Sequence, residues 1–294
     1  MYKILLLTDF SAASRHAIAY TQALFADTAV DFCLLHAFPF VPEEGYSGTF
    51  LLGEQIESAE KSITSLKRTI MEQPVPTYHT YRSQVALGTP ARAVEVLLAQ
   101  EFFDLVVLGA TGSGKNEFFG SIATGMIREA KTNVLVVPIS APIRPVEQIV
   151  LATDYKSIND AQSLRMVNDI ASRKAALITL LTIENPNRSE TYVSESSRQY
   201  VLRNLENVLT ETYIIHDDTV LHGISAYLKA HKVDLLVTLP HHKGIFDVLA
   251  QKSVSRSIAF HPTVPLLTLY DDEIKVTTSN ETSTIDVIPF ATYL

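Results

Sequence analysis

Residues 2–24 read YKILLLTDFSAASRHAIAYTQAL, and residues 147–170 read EQIVLATDYKSINDAQSLRMVNDI. Each is a short apolar run that ends in Thr-Asp, then a few small polar residues, then helical spacing. The repetition continues outward from this pair. DLVVLG at 104–109 has its counterpart in DLLVTL at 234–239, and TNVLVVP at 132–138 in VPLLTLY at 264–270. A chain written twice in this way reads as two copies of one supersecondary unit.

Between these landmarks, apolar runs rich in Val, Ile and Leu alternate with helical patterns. Runs of this length without polar alternation predict parallel strands buried on both faces. They fall near 2–8, 31–37, 78–85, 104–109 and 133–138, then 147–153, 176–183, 211–216, 234–239 and 264–270. Helical spacing places Ala13, Ala17, Tyr20 and Leu24 on one face, and Ala91, Val94, Val96 and Leu97 on another. The expected fold class is α/β: two tandem Rossmann-like domains, each a doubly wound five-stranded parallel sheet. The expected division is 1–140, 145–272 and a polar C-terminal tail over 273–294 with room for an added strand. The domains are joined around SAPIRP at 140–145, a link short enough to make them pack as a pseudo-dimer.

Hydrophobic residues make up 47% of the 294 positions and charged ones 19%, a composition that supports packed cores rather than disorder. The net charge of −8 argues against a nucleic-acid surface, which requires clustered Lys and Arg. No stretch approaches the ~18 apolar residues of a membrane span. The apolar run before Asp9 is too short for a signal peptide, so a cytoplasmic protein is expected. Cys33, the single cysteine, sits in the apolar run DFCLLHAF and reads as a small core residue.

Chemistry is expected where strand order reverses, at the carboxyl ends of the strands. Asp9 ends the first strand and Gly109 the fourth; if those strands are neighbours, the two residues flank one crevice. From Gly109 onward the chain reads GATGSGKNEFFGS (109–121). Its glycines allow backbone to approach a ligand, and Gly120-Ser121 opens the helical run IATGMIREA, whose first N–H groups form an anion site. A Walker A loop is the rival reading. It fails because Asn116 stands where Ser or Thr must hold magnesium, and because the loop follows the fourth strand and not the first.

In these elements, LLLTDFS, GTPARAVEVL (88–97), DLVVLGATG (104–112), GSIATGMI (120–127) and VLVVP (134–138), the sequence resembles the universal stress protein family in its tandem two-domain form. The resemblance spans about residues 1–272 and implies a stress-response regulatory protein that binds ATP or AMP in its N-terminal domain, with Mg accompanying ATP. A nucleotide-free interaction scaffold and a slow ATP hydrolase are the alternatives; no catalytic residue is assigned. Carried over, the resemblance implies a nucleoside beside Thr8 and Asp9, with adenine against the backbone of His36 and Ala37. Ribose and phosphates would lie along Gly109, Thr111 and Gly112, and Gly120 and Ser121 would cap the phosphates. Lys115 is either a solvated loop lysine or a terminal-phosphate contact. Seven residues separate Gly112 from Gly120, two fewer than in the family motif, so the loop is shorter.

In the second copy Leu239 and His242 stand at the positions of Gly109 and Gly112, and Lys252-Ser253 replaces Gly-Ser. A side chain at each position blocks close backbone approach, so this half is expected to be nucleotide-free. His241 and His242, with His216 and His222, are expected to be solvated rather than a metal site, which needs at least three converging ligands. Ser11 is expected to cap a helix, and Ser14 and His16 to be local structure rather than a nucleophile and its base. Family members pair through the last strand of each domain. An intramolecular pseudo-dimer is therefore expected, as a monomer or as a homodimer of such chains.

Overall fold

The structure is a computed structural model that describes residues 1–39, 48–110, 123, 125–127, 130–155, 158, 161–186, 194–239 and 264–270. The predicted tail and the loop from Thr111 through Ile122 lie outside these residues. The strands of the first copy are β1 (Tyr2–Leu7), β2 (Val30–Phe38), β3 (His79–Leu87), β4 (Leu105–Ala110) and β5 (Asn133–Pro138). Those of the second are β6 (Gln148–Ala152), β7 (Leu177–Glu184), β8 (Thr210–His216), β9 (Leu235–Thr238) and β10 (Leu266–Thr268). Helices α1 (Ala12–Leu24), α2 (Gly48–Met71) and α3 (Pro90–Gln100) connect the first set. Helices α4 (Arg165–Lys174), α5 (Glu195–Asn204) and α6 (Val220–Ala230) connect the second.

All ten strands form one sheet in the order β3-β2-β1-β4-β5-β10-β9-β6-β7-β8. Within each copy the pairs are parallel, and the copies join where β5 meets β10 antiparallel, Val136 opposite Leu266. The expected pseudo-dimer is thus a continuous sheet joined through the last strand of each unit. Order reverses between β1 and β4, which are neighbours with Ile4 opposite Leu105. In the second copy Ile149 stands opposite Leu235, so this register makes Thr153 the equivalent of Thr8 and Leu239 that of Gly109.

Strand period explains the core. Ile4, Leu6, Phe32, Leu34, Leu105 and Val107 face one layer with α1, α2 and α4. Leu5, Cys33, Leu35, Val106 and Val136 face the other with α3, Met126 and α6. Each such fully buried aliphatic side chain contributes on the order of 2 kcal/mol. Helix α1 buries Ala13, Ala17, Tyr20 and Leu24 as the spacing predicts. Helix α3 departs from the prediction: it buries Ala93, Val94 and Leu97, while Val96 is exposed. Two β-branched residues, Val94 and Val96, flank Glu95 and blur the helical face in the sequence. Ser11 caps α1 by accepting from the Ser14 N–H, and Thr89 and Thr219 cap α3 and α6 in the same way.

The repeat extends to single atoms. Asp104 Oδ2 accepts from the Lys3 N–H at 2.8 Å, and its counterpart Asp234 accepts from the Glu147 and Gln148 N–H groups at 3.0 Å each. Both aspartates pin the start of one strand to its neighbour. The copies are also tied by side chains on the α1/α4 face. Tyr2 donates to Asp169 Oδ2 at 2.5 Å, Arg173 bridges Asp169 and Asp27, and Lys174 reaches Asp27 at 2.9 Å.

Candidate functional site

Thr8 closes β1 by donating its N–H to Leu35 O at 2.9 Å, and Thr153 does the same to Leu181 O at 3.0 Å. Two residues further, the chain turns sharply. Phe10 takes φ 63° and its counterpart Tyr155 φ 59°, a left-handed conformation that costs an aromatic residue on the order of 1 kcal/mol. Each turn is held by a threonine hydroxyl: Thr8 Oγ1 accepts from the Phe10 N–H at 3.0 Å, and Thr153 Oγ1 from the Tyr155 N–H at 2.9 Å. The Thr-Asp-aromatic triplet of the sequence is therefore a built turn that ends the first strand of each copy.

Asp9 is exposed at this crest, and its Oδ1 accepts from the Ser11 N–H at 3.0 Å. Partial burial pushes the carboxyl pKa up, but hydrogen bonds from Ser11 and Ser14 outweigh it and leave the group below the usual carboxylate range. Thr8, Ser11 and Ser14 form a hydroxyl chain, with Thr8 Oγ1 and Ser14 Oγ 3.2 Å apart. His16 takes no part in it; its Nε2 donates to Ala141 O at 2.8 Å, tying α1 to the link between the copies. Arg15, absent from the sequence-based site, donates Nε to Phe10 O at 3.1 Å and holds a permanent cation beside the turn.

Gly109 lies across from this crest on β4. A Cβ built there would stand 2.3 Å from Ala13 O, 2.4 Å from Ala13 C and 2.8 Å from Ser14 N. Its missing side chain admits the first turn of α1. Ligand approach was the reason expected from the sequence; the described residues add a second, the close approach of helix α1.

At the end of β2, His36 and Ala37 are half-buried. His36 Nδ1 donates to Thr8 O at 2.8 Å, and its ring lies 4.4 Å from Phe10 and 5.8 Å from Phe38, centroid to centroid. The structure thus brings Thr8, Asp9, His36, Ala37 and Gly109 to one edge of the sheet at the strand-order switch. Thr111, Gly112, Lys115, Gly120 and Ser121 lie outside the described residues. Sequence reasoning missed the ring cluster; an aromatic residue after Thr-Asp in both copies was the available signal.

Among the described residues the same edge of the second copy is filled by side chains. Leu239 is 0% exposed and shares a core with Tyr155, Ile158 and Leu164. Thr182, the counterpart of His36 by strand register, is buried and hydrogen-bonded to the Tyr155 side chain. Where α1 begins at Ala12, its counterpart α4 begins only at Arg165, after a 3-10 turn over Ala161–Leu164. A leucine in place of the glycine leaves no room for a helix start that close to the sheet.

The remaining candidates separate. His222 Nδ1 bonds Asp217 at 2.5 Å and His216 lies 3.5 Å from Glu184, two pairs rather than a cluster. Among the described residues no group of three or more His, Cys, Asp or Glu side chains is placed to hold a metal. His241, His242, Lys252 and Ser253 lie outside them. Cys33 is buried, and burial pushes its thiol up to about 11. Among the described residues no helix is long and apolar enough to cross a membrane.

The sequence model of the universal stress protein family matches residues 1–138. No curated protein matches the chain. Among solved structures, a universal stress protein from Archaeoglobus fulgidus DSM 4304 is 15% identical, with TM-score 0.69, covering 91% of this chain and 98% of that one. A candidate universal stress protein from Pseudomonas aeruginosa UCBPP-PA14 is 14% identical, with TM-score 0.53, covering 92% and 93%. A universal stress protein family protein from Arabidopsis thaliana with AMP bound is 13% identical, with TM-score 0.34, covering 47% and 92%. Residues 1–138 match the universal stress protein family, and the chain as a whole shares its fold with the Archaeoglobus fulgidus protein.

Proposed function

We propose that this chain is a stress-response regulatory protein that binds one adenine nucleotide, AMP or ATP, at the crest formed by Thr8, Asp9, His36, Ala37 and Gly109 and continued by the loop from Thr111 to Ser121. The observation that carries the reading is the contrast between equivalent edges. One presents an exposed carboxylate and a half-buried imidazole at the strand-order switch. The other is filled by Leu239, Tyr155 and Thr182, none more than 5% exposed. A ligand that needs backbone and polar side chains together is accommodated only by the first.

Occupancy, not turnover, is the proposed output. A carboxylate held low by hydrogen bonds, as Asp9 is, makes a weak general base. The two halves share a sheet and an ionic seam, so a ligand at one crest can bias assembly without chemistry. Magnesium, if it accompanies ATP, is brought by the nucleotide.

Calorimetric titration of AMP, ADP and ATP tests the reading. One site per chain is expected, and Gly120→Val is expected to abolish it by placing a branched side chain at the phosphate cap. Unchanged affinity in that variant rejects the phosphate site, and no heat with any adenine nucleotide leaves the nucleotide-free scaffold. Phosphate release from ATP that Asp9→Ala removes would instead establish a hydrolase.

A further inference from the structure

We propose that the His36 side chain reads the base of the bound nucleotide, accepting a hydrogen bond from an exocyclic amino group and discriminating against a keto group at the same place. The inference rests on the nucleotide reading above and adds a base-selecting residue to it. A carbonyl oxygen only accepts, so the 2.8 Å contact between His36 Nδ1 and Thr8 O fixes the proton on Nδ1. In the neutral tautomer this leaves Nε2 as the acceptor. Nε2 takes no hydrogen bond from the described residues, and the residue is only half-buried.

Two aromatic rings pack against the imidazole. Phe10 flanks it at 4.4 Å and Phe38 lies nearly parallel to it, 17° between planes, at 5.8 Å. Phe10 is itself fixed by its left-handed turn and its hydrogen bond to Thr8. The Thr8 carbonyl belongs to the end of β1, which is clamped to β2 through Leu35. An acceptor held by packing and by a second hydrogen bond in this way is preorganised for a donor. The aromatic faces beside it offer a flat apolar surface of the kind on which nucleobases stack. In the second copy the same register position is Thr182, buried and hydrogen-bonded to Tyr155, so the described residues show no such acceptor at the equivalent edge.

A purine with an amino group satisfies Nε2. A purine with a keto group sets two lone pairs against each other and leaves both unpaired, which is the case that binding sites reject most strongly. AMP and IMP differ at C6, amino against keto, and at N1, a bare acceptor in AMP and an N–H in IMP, so the acceptor's own share is read by titrating both against a His36→Phe variant beside the unaltered protein. AMP is expected to bind about tenfold or more tightly than IMP, the size of one unmade hydrogen bond at a desolvated site. His36→Phe keeps a ring between Phe10 and Phe38 and removes the acceptor. It is expected to weaken AMP to the level of IMP and bring the ratio near one.

Equal binding of AMP and IMP by the unaltered protein overturns the inference while leaving the nucleotide site standing. So does a folded His36→Phe variant that keeps the wild-type ratio. If that variant does not fold, as circular dichroism will show, purine riboside 5′-monophosphate, which lacks only the amino group, decides: binding as tight as that of AMP overturns the inference. Failure of AMP, ATP and IMP all to bind removes both this inference and the function on which it rests.

Discussion

Replacing Gly109 with alanine puts the packing of the N-terminal crest to a direct test. The added Cβ would meet Ala13 O at 2.3 Å, Ala13 C at 2.4 Å and Ser14 N at 2.8 Å. Carbon contacts begin near ~3.5 Å, so the first turn of α1 must withdraw by roughly 1 Å. All three obstacles are backbone atoms, which cannot rotate aside as a side chain can. Overpacking of this kind costs about 1–3 kcal/mol, and a rigid obstacle places it at the upper end. Withdrawal also breaks the 3.2 Å contact between Ser14 and Thr8, worth about 1 kcal/mol more. A total of about 4 kcal/mol corresponds to a fall of roughly 8–16 °C in melting temperature for a chain of this size. The assay is thermal and urea unfolding of Gly109→Ala beside Gly53→Ala. Gly53 lies in α2 with nothing within 4 Å of its built Cβ, so that control should gain about 0.5–1 kcal/mol from helix propensity. If Gly109→Ala melts within about 1 °C of the unaltered protein, α1 is not seated on β4 as described.

Other outcomes follow from the same packing and charges. Leu239→Ala removes a fully buried side chain and should cost about 2–5 kcal/mol in urea unfolding, without creating a second nucleotide site. Asp27 is opposed by its own partial burial, but Lys174 and Arg173 outweigh that and lower its pKa. A carboxyl lowered in the folded state lends stability above its unfolded pKa of about 3.9 and loses it as pH falls through the folded value. Asp27→Asn should therefore lower the melting temperature at pH 7 and flatten its decline below about pH 4. A decline as steep as in the parent would mean the seam does not titrate through Asp27. Cys33 is buried with its thiol pKa raised to about 11, so a thiol reagent at pH 8 should label it only in denaturant. Rapid labelling of the native protein would contradict its burial.

The eight inner strands were legible because parallel strands buried on both faces leave apolar runs, and ILLL, CLLH and LVVL announce themselves. The edge strands β3 and β8, expected to be buried in the same way, are largely exposed or half-buried because each has a neighbour on one side only. The duplication was legible because both copies keep the same turn, Thr-Asp-aromatic, where a hydroxyl must offset a left-handed residue. The outward turn of Val96 was not, since a β-branched residue beside a charge satisfies either face of a short helix. At the site, Asp9 and Gly109 could be set against each other from strand order alone. The reason for Gly109 could not, because the backbone atoms that exclude a side chain belong to Ala13 and Ser14, far away in sequence and on a different element. Nor could the proton position on His36, which depends on a carbonyl exposed only once β1 has turned. The Leu239 substitution was visible in both ways, as a lost glycine in the sequence and as a filled edge in the fold.

Native mass spectrometry of the purified chain titrated with AMP addresses the central claim most directly, because it counts ligands per polypeptide. The account predicts saturation at one AMP per chain. A chain that takes up none, or that fills two equivalent sites, would contradict an open crest in the first copy set against a closed one in the second.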